Sequence, residues 1–81
     1  MIERSLTFKR EGKYFVLLEA KITFICEQCG RKIRRSVTTK KRFTSQEEAE
    51  RWAIQKLPAT KLPEGWDYKD FMLLCNDCLK E

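Results

Sequence analysis

Histidine is absent from this 81-residue chain. Its absence excludes imidazole acid–base catalysis and any metal site of mixed cysteine and histidine ligands. Proline and glycine are scarce, at two and three residues. No Pro/Gly-rich linker divides the chain, and no glycine-rich loop is available to cradle a phosphate. Long apolar runs are missing too: nothing approaches the ~18 residues of a membrane span. Met1 to Arg10 lacks the apolar stretch and small-residue cleavage site of a secretory signal. Together these absences predict one soluble domain over residues 1–81, in a reducing cytoplasm, with no membrane partner and no evident small-molecule substrate. A chain of this length buries only about 60–65% of its unfolded surface, so its small core calls for a staple.

The candidate staple is the cysteines. All four fall into two pairs of the same spacing, Cys26-Glu27-Gln28-Cys29 and Cys75-Asn76-Asp77-Cys78. Each pair offers two thiolates to one ion, and together they make the tetrahedral four-sulfur cage that Zn2+ prefers. Such a cage is structural, because it leaves no open coordination position for chemistry. Two disulfides are the rival in a secreted protein, and the absent signal argues against them. A redox Cys-x-x-Cys pair belongs at a strand-to-helix turn, whereas the first pair leads into Gly30 and a basic, β-branched stretch. Iron in a rubredoxin-like site remains a further alternative.

Hydrophobic periodicity outlines the rest. Tyr14, Val16, Leu18, Ala20, Ile22 and Phe24 alternate into Cys26, the period-2 pattern of a long strand with one buried face. Leu6 and Phe8 alternate similarly ahead of the turn-like Arg10-Glu11-Gly12-Lys13, which predicts a hairpin over 5–26, then a knuckle over 26–30. A basic, β-branched strand over 33–40 should return antiparallel. Thr44 and Ser45 precede Glu47 and Glu48 at capping-box spacing, and Ala49, Trp52, Ala53 and Leu57 share a helical face. The helix is therefore expected over 45–57, stopped by Pro58, with a loop over 58–65. Residues 66–74 read as a last strand that delivers a second knuckle at 75–78. Trp52, Tyr68 and Phe71 read as core, whereas one of Tyr14 and Phe15, on opposite strand faces, should be exposed, with Phe15 the position to watch for a partner. The predicted fold class is α+β: an antiparallel sheet of about four strands packed on one helix, with the metal site at one end.

Cys26-Glu27-Gln28-Cys29-Gly30-Arg31-Lys32 resembles the knuckle of zinc-ribbon and treble-clef domains, and Cys75-Asn76-Asp77-Cys78-Leu79 resembles the second half of such a site. The order of knuckle, short strand, helix, Gly-Trp, strand and terminal Cys pair is similar to small zinc-binding proteins of bacteria and their phages. That resemblance spans roughly residues 22–79 and implies one structural Zn2+ held by Cys26, Cys29, Cys75 and Cys78. It implies no established activity.

Function must then come from the surface. Arg31, Lys32, Arg34, Arg35, Lys40, Lys41 and Arg42 lie in a stretch without an acidic residue, in a chain of net charge +5. Such a stretch can neutralise DNA or RNA phosphates, Arg34 and Arg35 being the foremost candidates, or can be no more than a solvated strand face. The acidic residues Asp67, Asp70, Asp77 and Glu81 read as a solubilising cluster. The expectation is a non-enzymatic zinc-stabilised adaptor or regulator, phage- or mobile-element-derived, that docks on a protein or nucleoprotein partner. A nucleic-acid-binding zinc-ribbon protein using residues 31–42 is the alternative, and a rubredoxin-like electron carrier a remote one.

Overall fold

The computed structural model describes residues 1–80; Glu81, grouped above with the acidic residues, lies outside them. Strands β1 (Ile2–Glu11), β2 (Tyr14–Ile25) and β3 (Lys32–Phe43) form an antiparallel sheet in the order β1-β2-β3, followed by helix α1 (Gln46–Lys56). A second sheet contains only β4 (Asp67–Lys69) and β5 (Met72–Leu74), and a short helix α2 (Asn76–Leu79) follows. The molecule is elongated, 53 × 16 × 16 Å along its principal axes, because the long strands lie side by side.

Each element has a local cause. Gly12 and Lys13 close the first hairpin in two residues, pairing Glu11 with Tyr14. Ser45 caps α1: its backbone is extended and its Oγ accepts the Glu48 N–H at 3.3 Å. The Glu48 carboxylate reaches back to accept the Thr44 hydroxyl at 2.9 Å and the Thr44 N–H at 3.3 Å, a capping box displaced by one residue. Pro58 keeps Leu57 out of helical geometry and the helix ends there. Ala49 and Ala53, fully buried, let α1 lie close on the sheet above Leu17, Ala20, Ile22 and Phe24.

Three expectations about the strands need correction. The anticipated sheet of about four strands is a sheet of three and a separate sheet of two. Residues 66–74 do not form one strand, because Asp70 and Phe71 adopt left-handed backbone (φ 52° and 66°) and fold the segment on itself, pairing Lys69 with Met72. The even-numbered alternation of β2 also fails below Leu18. There the register steps from Glu19 opposite Thr7 to Leu17 opposite Phe8, leaving Leu18 as the extra residue against β1, while on its other side Leu18 alone stands opposite Thr39 and Lys40 of β3. A one-residue slip exchanges the faces. Leu17 joins the core, Phe15 turns toward Phe8 (ring centroids 6.3 Å apart), and Tyr14 becomes the exposed member of the pair.

The aromatics divide accordingly. Trp66 is buried in the core, and Trp52 is half-buried at its edge against Phe43, centroid to centroid 6.0 Å. Tyr68 and Phe71, expected in the core, are both exposed. Tyr68 stands on the separate two-stranded sheet and Phe71 at its turn, both outside the core cluster.

Gly65 joins the loop to the second sheet. It has φ +82°, and a Cβ added there would meet the Asn76 Cβ at 2.8 Å. Gly30 has a similar φ of +79° with nothing within 4 Å of that direction. Gly30→Ala should therefore cost only the left-handed backbone penalty of about 1–2 kcal/mol. Gly65→Ala should cost about 2–4 kcal/mol, because overpacking against α2 adds to the same penalty. Urea denaturation of the two variants checks the difference; equal losses would mean that the Gly65–Asn76 approach is not a packing constraint.

Candidate metal centre

The first cysteine pair sits where β2 runs out. Cys26 follows its last residue, and the chain turns back at once: the Cys26 N–H donates to the Arg31 carbonyl (2.8 Å) and the Gly30 N–H to the Cys26 carbonyl (2.9 Å). The positive φ of Gly30 permits that turn, and Cys29 projects from it. The second pair is built differently. Cys75 is the N-cap of α2 and Cys78 lies on its first turn, with the Leu79 N–H donating to the Cys75 carbonyl at 3.0 Å.

The two segments, far apart in sequence, bring their sulfurs together. Cys26 and Cys78 Sγ are 3.6 Å apart, as are Cys29 and Cys75 Sγ, and all four lie within 4.8 Å of one another. A disulfide would need about 2.05 Å, so all four thiols are free. A tetrahedron with metal–sulfur bonds of about 2.3 Å has edges of roughly 3.8 Å, close to the separations found. The four cysteines can hold one metal ion. Cys26 and Cys75 are buried, Cys78 is partly covered and Cys29 faces solvent, so one side of the cage stays accessible to an entering ion.

Proton affinities divide the four. Burial works against a charged Cys26, but backbone N–H groups of Cys29, Cys75 and Gln28 directed at its sulfur prevail and bring its thiol down to about 6. The Cys78 N–H likewise lowers Cys75. Cys78 is pushed up by burial and by the sulfurs beside it. Cys29 is also raised: the Arg31 N–H favours its thiolate, but the hydrogen bond with Cys26, burial and the Cys75 sulfur together outweigh it. Two thiolates are thus favoured, and a third and fourth at this spacing need a cation among them.

Glu27 ties the two halves together, a role that its sequence neighbours do not disclose. Its N–H donates to the Leu73 carbonyl at 2.9 Å, and its carboxylate accepts the Leu73 N–H at 2.7 Å. That second bond holds the Glu27 carboxyl below the usual carboxylate range against partial burial, with the Met1 amino group at 3.5 Å contributing. Being depressed, Glu27 contributes its stability above the ordinary carboxylate value near 4.3, and the contribution is lost as pH falls through its lower folded value. Glu27→Ala removes the side-chain bond and should weaken metal affinity by about tenfold or more, as loss of groups that orient ligands does. Competition with a chromogenic chelator reads this directly; unchanged affinity would mean that the backbone bond alone sets the register of the two knuckles. The Glu27 position between two candidate ligand cysteines was visible in the sequence, but its partner Leu73 was not.

The basic residues of 31–42 do not form one surface. Arg31 pairs with Asp77 across the two knuckles at 3.1 Å, an exposed bridge worth little by itself. Lys32 and Arg34 are exposed on the sheet face away from α1, opposite Ile25 and Thr23. Arg35 points to the covered face, where Nη1 donates to the Lys61 carbonyl (2.6 Å), Nη2 to the Leu62 carbonyl (3.5 Å), and the guanidinium lies 5.3 Å from the Phe24 ring centroid. It ties the loop to the sheet, as Arg4 does by donating to the Leu57 carbonyl at 2.8 Å. Lys41 lies over Trp52 at 5.8 Å, Arg42 pairs with Glu11 at 2.9 Å, and Lys40 stands exposed beside Leu18, Thr38 and Thr39. No family model, curated protein or solved structure matches this chain.

Proposed function

We propose that this chain is a non-enzymatic adaptor or regulator, stabilised by one structural Zn2+, that docks on a protein or nucleoprotein partner. The observation that carries the reading is the cluster of Cys26, Cys29, Cys75 and Cys78, whose four sulfurs come from two distant segments and lie within 4.8 Å of one another, as a closed four-sulfur site with no substrate position requires. Two ligands from a knuckle and two from the first turn of a helix favour the treble-clef form over a symmetric zinc ribbon. Free thiols suit a reducing, cytoplasmic setting. Among the described residues no helix is long and apolar enough to cross a membrane.

Metal analysis with thiol titration tests the first half: one zinc per chain and four protected thiols are expected. Two disulfides without metal would overturn it, and iron with strong visible absorbance would favour an electron carrier.

A second reading, nucleic-acid binding, has its own observation. On the sheet face away from α1 stand Lys9, Lys21, Lys32, Arg34 and Arg42 against Glu3, Glu11 and Glu19. With Lys40 nearby, this is the part of the 31–42 stretch best placed to meet phosphates. Anisotropy titrations with duplex DNA, single-stranded DNA and RNA at two salt concentrations distinguish it. Each phosphate interaction that Lys32→Ala or Arg34→Ala removes should reduce the log–log salt slope by about 0.9 on duplex DNA and about 0.7 on single strands. No binding at low salt would remove the reading.

A further inference from the structure

The three-stranded sheet has two free edges, one on β1 and one on β3. An unpaired edge offers a row of backbone N–H and C=O groups to a further strand, and proteins guard the edges that they do not use. The β3 edge is guarded. Its residues Thr39 and Lys40 stand against the single Leu18 of β2, and the Lys41 N–H is turned to the Thr39 hydroxyl at 3.2 Å. Lys32 to Phe43 also carries six basic residues and no acidic one, so two copies of β3 repel.

The β1 edge has none of these devices. Its ten residues pair continuously, contain no proline and carry both signs of charge. Both ends fix which of its backbone groups are free. The Ile25 N–H donates to the Met1 carbonyl (2.8 Å) and the Met1 amino group to the Ile25 carbonyl (2.9 Å), while the two-residue turn closes on Glu11 and Tyr14. Bonded pairs alternate along an antiparallel ladder. The odd-numbered residues therefore turn their backbone groups to β2, and Ile2, Arg4, Leu6, Phe8 and Arg10 turn theirs to the open side.

The side chains select the strand that fits there. Laid antiparallel on a copy of itself with Leu6 opposite Leu6, β1 sets Glu3 opposite Lys9 and Ser5 opposite Thr7, each twice, with Arg4 opposite Phe8 and Ile2 opposite Arg10. Even residues meet even residues, as the free backbone groups require, and no like charges are opposed. Moving the centre by one residue loses this. Centred on Ser5, Glu3 faces Thr7; centred on Thr7, Glu3 faces Glu11 and Arg4 faces Arg10. The other charges of the strand are engaged within their own chain: Arg4 with the Leu57 carbonyl, Arg10 with the Gly12 carbonyl and Glu11 with Arg42. Glu3 and Lys9 have no ion pair among the described residues. Leu6 lies in an open groove with Arg4, Glu50 and Ile54, where a neighbouring strand at about 4.8 Å would cover it.

We propose that two chains join through β1 about a two-fold axis at Leu6, making one six-stranded antiparallel sheet in the order β3-β2-β1-β1-β2-β3. The axis is perpendicular to the sheet. Both α1 helices then lie on one face, and the faces carrying Lys21, Lys32 and Arg34 become continuous on the other. The cysteine clusters, at the Cys26 end of β2, lie at opposite ends of the pair. This goes beyond the adaptor and nucleic-acid readings and requires neither.

Sedimentation of the zinc-loaded protein tests it, over roughly 10–500 μM because one strand edge makes a small interface. A mass twice that of the 9.7 kDa chain is expected at the upper end. Glu3→Lys and Lys9→Glu each turn two attractive pairs into two repulsive ones and should weaken the dimer at least about tenfold. Both positions are exposed, so zinc content and the Tm at low concentration should stay as in the wild type. An equimolar mixture of the two variants should dimerise again: the cation introduced at position 3 faces the acid introduced at position 9, and native Lys9 faces native Glu3. Association through any other surface or register would not recover in this way. A protein still monomeric at the highest concentration, a dimer indifferent to both variants, or growth beyond two chains through β1 on β3 overturns the proposal.

Discussion

Replacing Cys75 with Ser should remove most of the cooperative thermal transition, lowering Tm by more than about 20 °C. Cys75 is fully buried at the junction of β5 and α2, and its sulfur approaches that of Cys29 at 3.6 Å. Without it the second sheet has three residues per strand and a four-residue helix to hold it, which is below what such pieces sustain alone. A strong chelator should reproduce the loss in the wild type, and Cys75→Ser should then add little to it. That pairing separates metal from packing. A transition that survives chelation unchanged would mean that the sheet and α1 stand without the cage.

The metal-free protein should also respond to pH in a defined direction. Cys26, depressed to about 6, contributes stability that is fully present above the ordinary thiol value near 8.5 and is lost as pH falls through about 6. Raised Cys29 and Cys78 oppose any further gain in alkali. With metal bound, the thiolates are held against protons and release should need still lower pH. Thiol alkylation rates of the chelator-treated protein across pH 5–9, and the pH at which the metal-loaded protein gives up its ion to a chromogenic chelator, read the two effects.

Phe24→Ala should cost about 3–5 kcal/mol. Phe24 is completely buried in the central strand, two residues before Cys26, between the Arg35 guanidinium and the core. An 81-residue domain has a total stability of roughly 4–12 kcal/mol at typical values per residue, so the variant should lose a quarter or more of it and keep at most about 9 kcal/mol. Chemical denaturation at 10–20 °C, near the usual stability maximum, measures the loss. Phe24→Leu, which keeps most of the volume, should lose much less. A loss below about 1 kcal/mol for Phe24→Ala would show that the metal centre, and not the helix-on-sheet core, carries the fold.

What could be read from the chain was local chemistry. Two Cys-x-x-Cys pairs name the candidate ligands because sulfur chemistry and a two-residue spacing suffice, and the structure brings those four sulfurs together. The Ser45 cap, Glu48 and Pro58 bound α1 within a residue at each end, since caps act over three or four positions. The Gly12 turn places the first hairpin for the same reason. Where contacts between remote segments decide, periodicity misleads. The bulge at Leu18 exists in the pairing of three strands, and it exchanges the inner and outer faces of Tyr14 and Phe15 without a mark in the residue pattern. Arg34 and Arg35 look equivalent as neighbours, yet alternation across the sheet leaves one in solvent and turns the other to the Lys61 and Leu62 carbonyls. Tyr68 and Phe71 have the hydrophobicity of core residues, and their exposure follows from their place on a separate two-stranded sheet. Glu27 acquires its role only when Leu73, 46 positions away, arrives beside it. Side-chain identity specifies what a residue can bind over a few ångströms, whereas register and topology specify what is there to be bound.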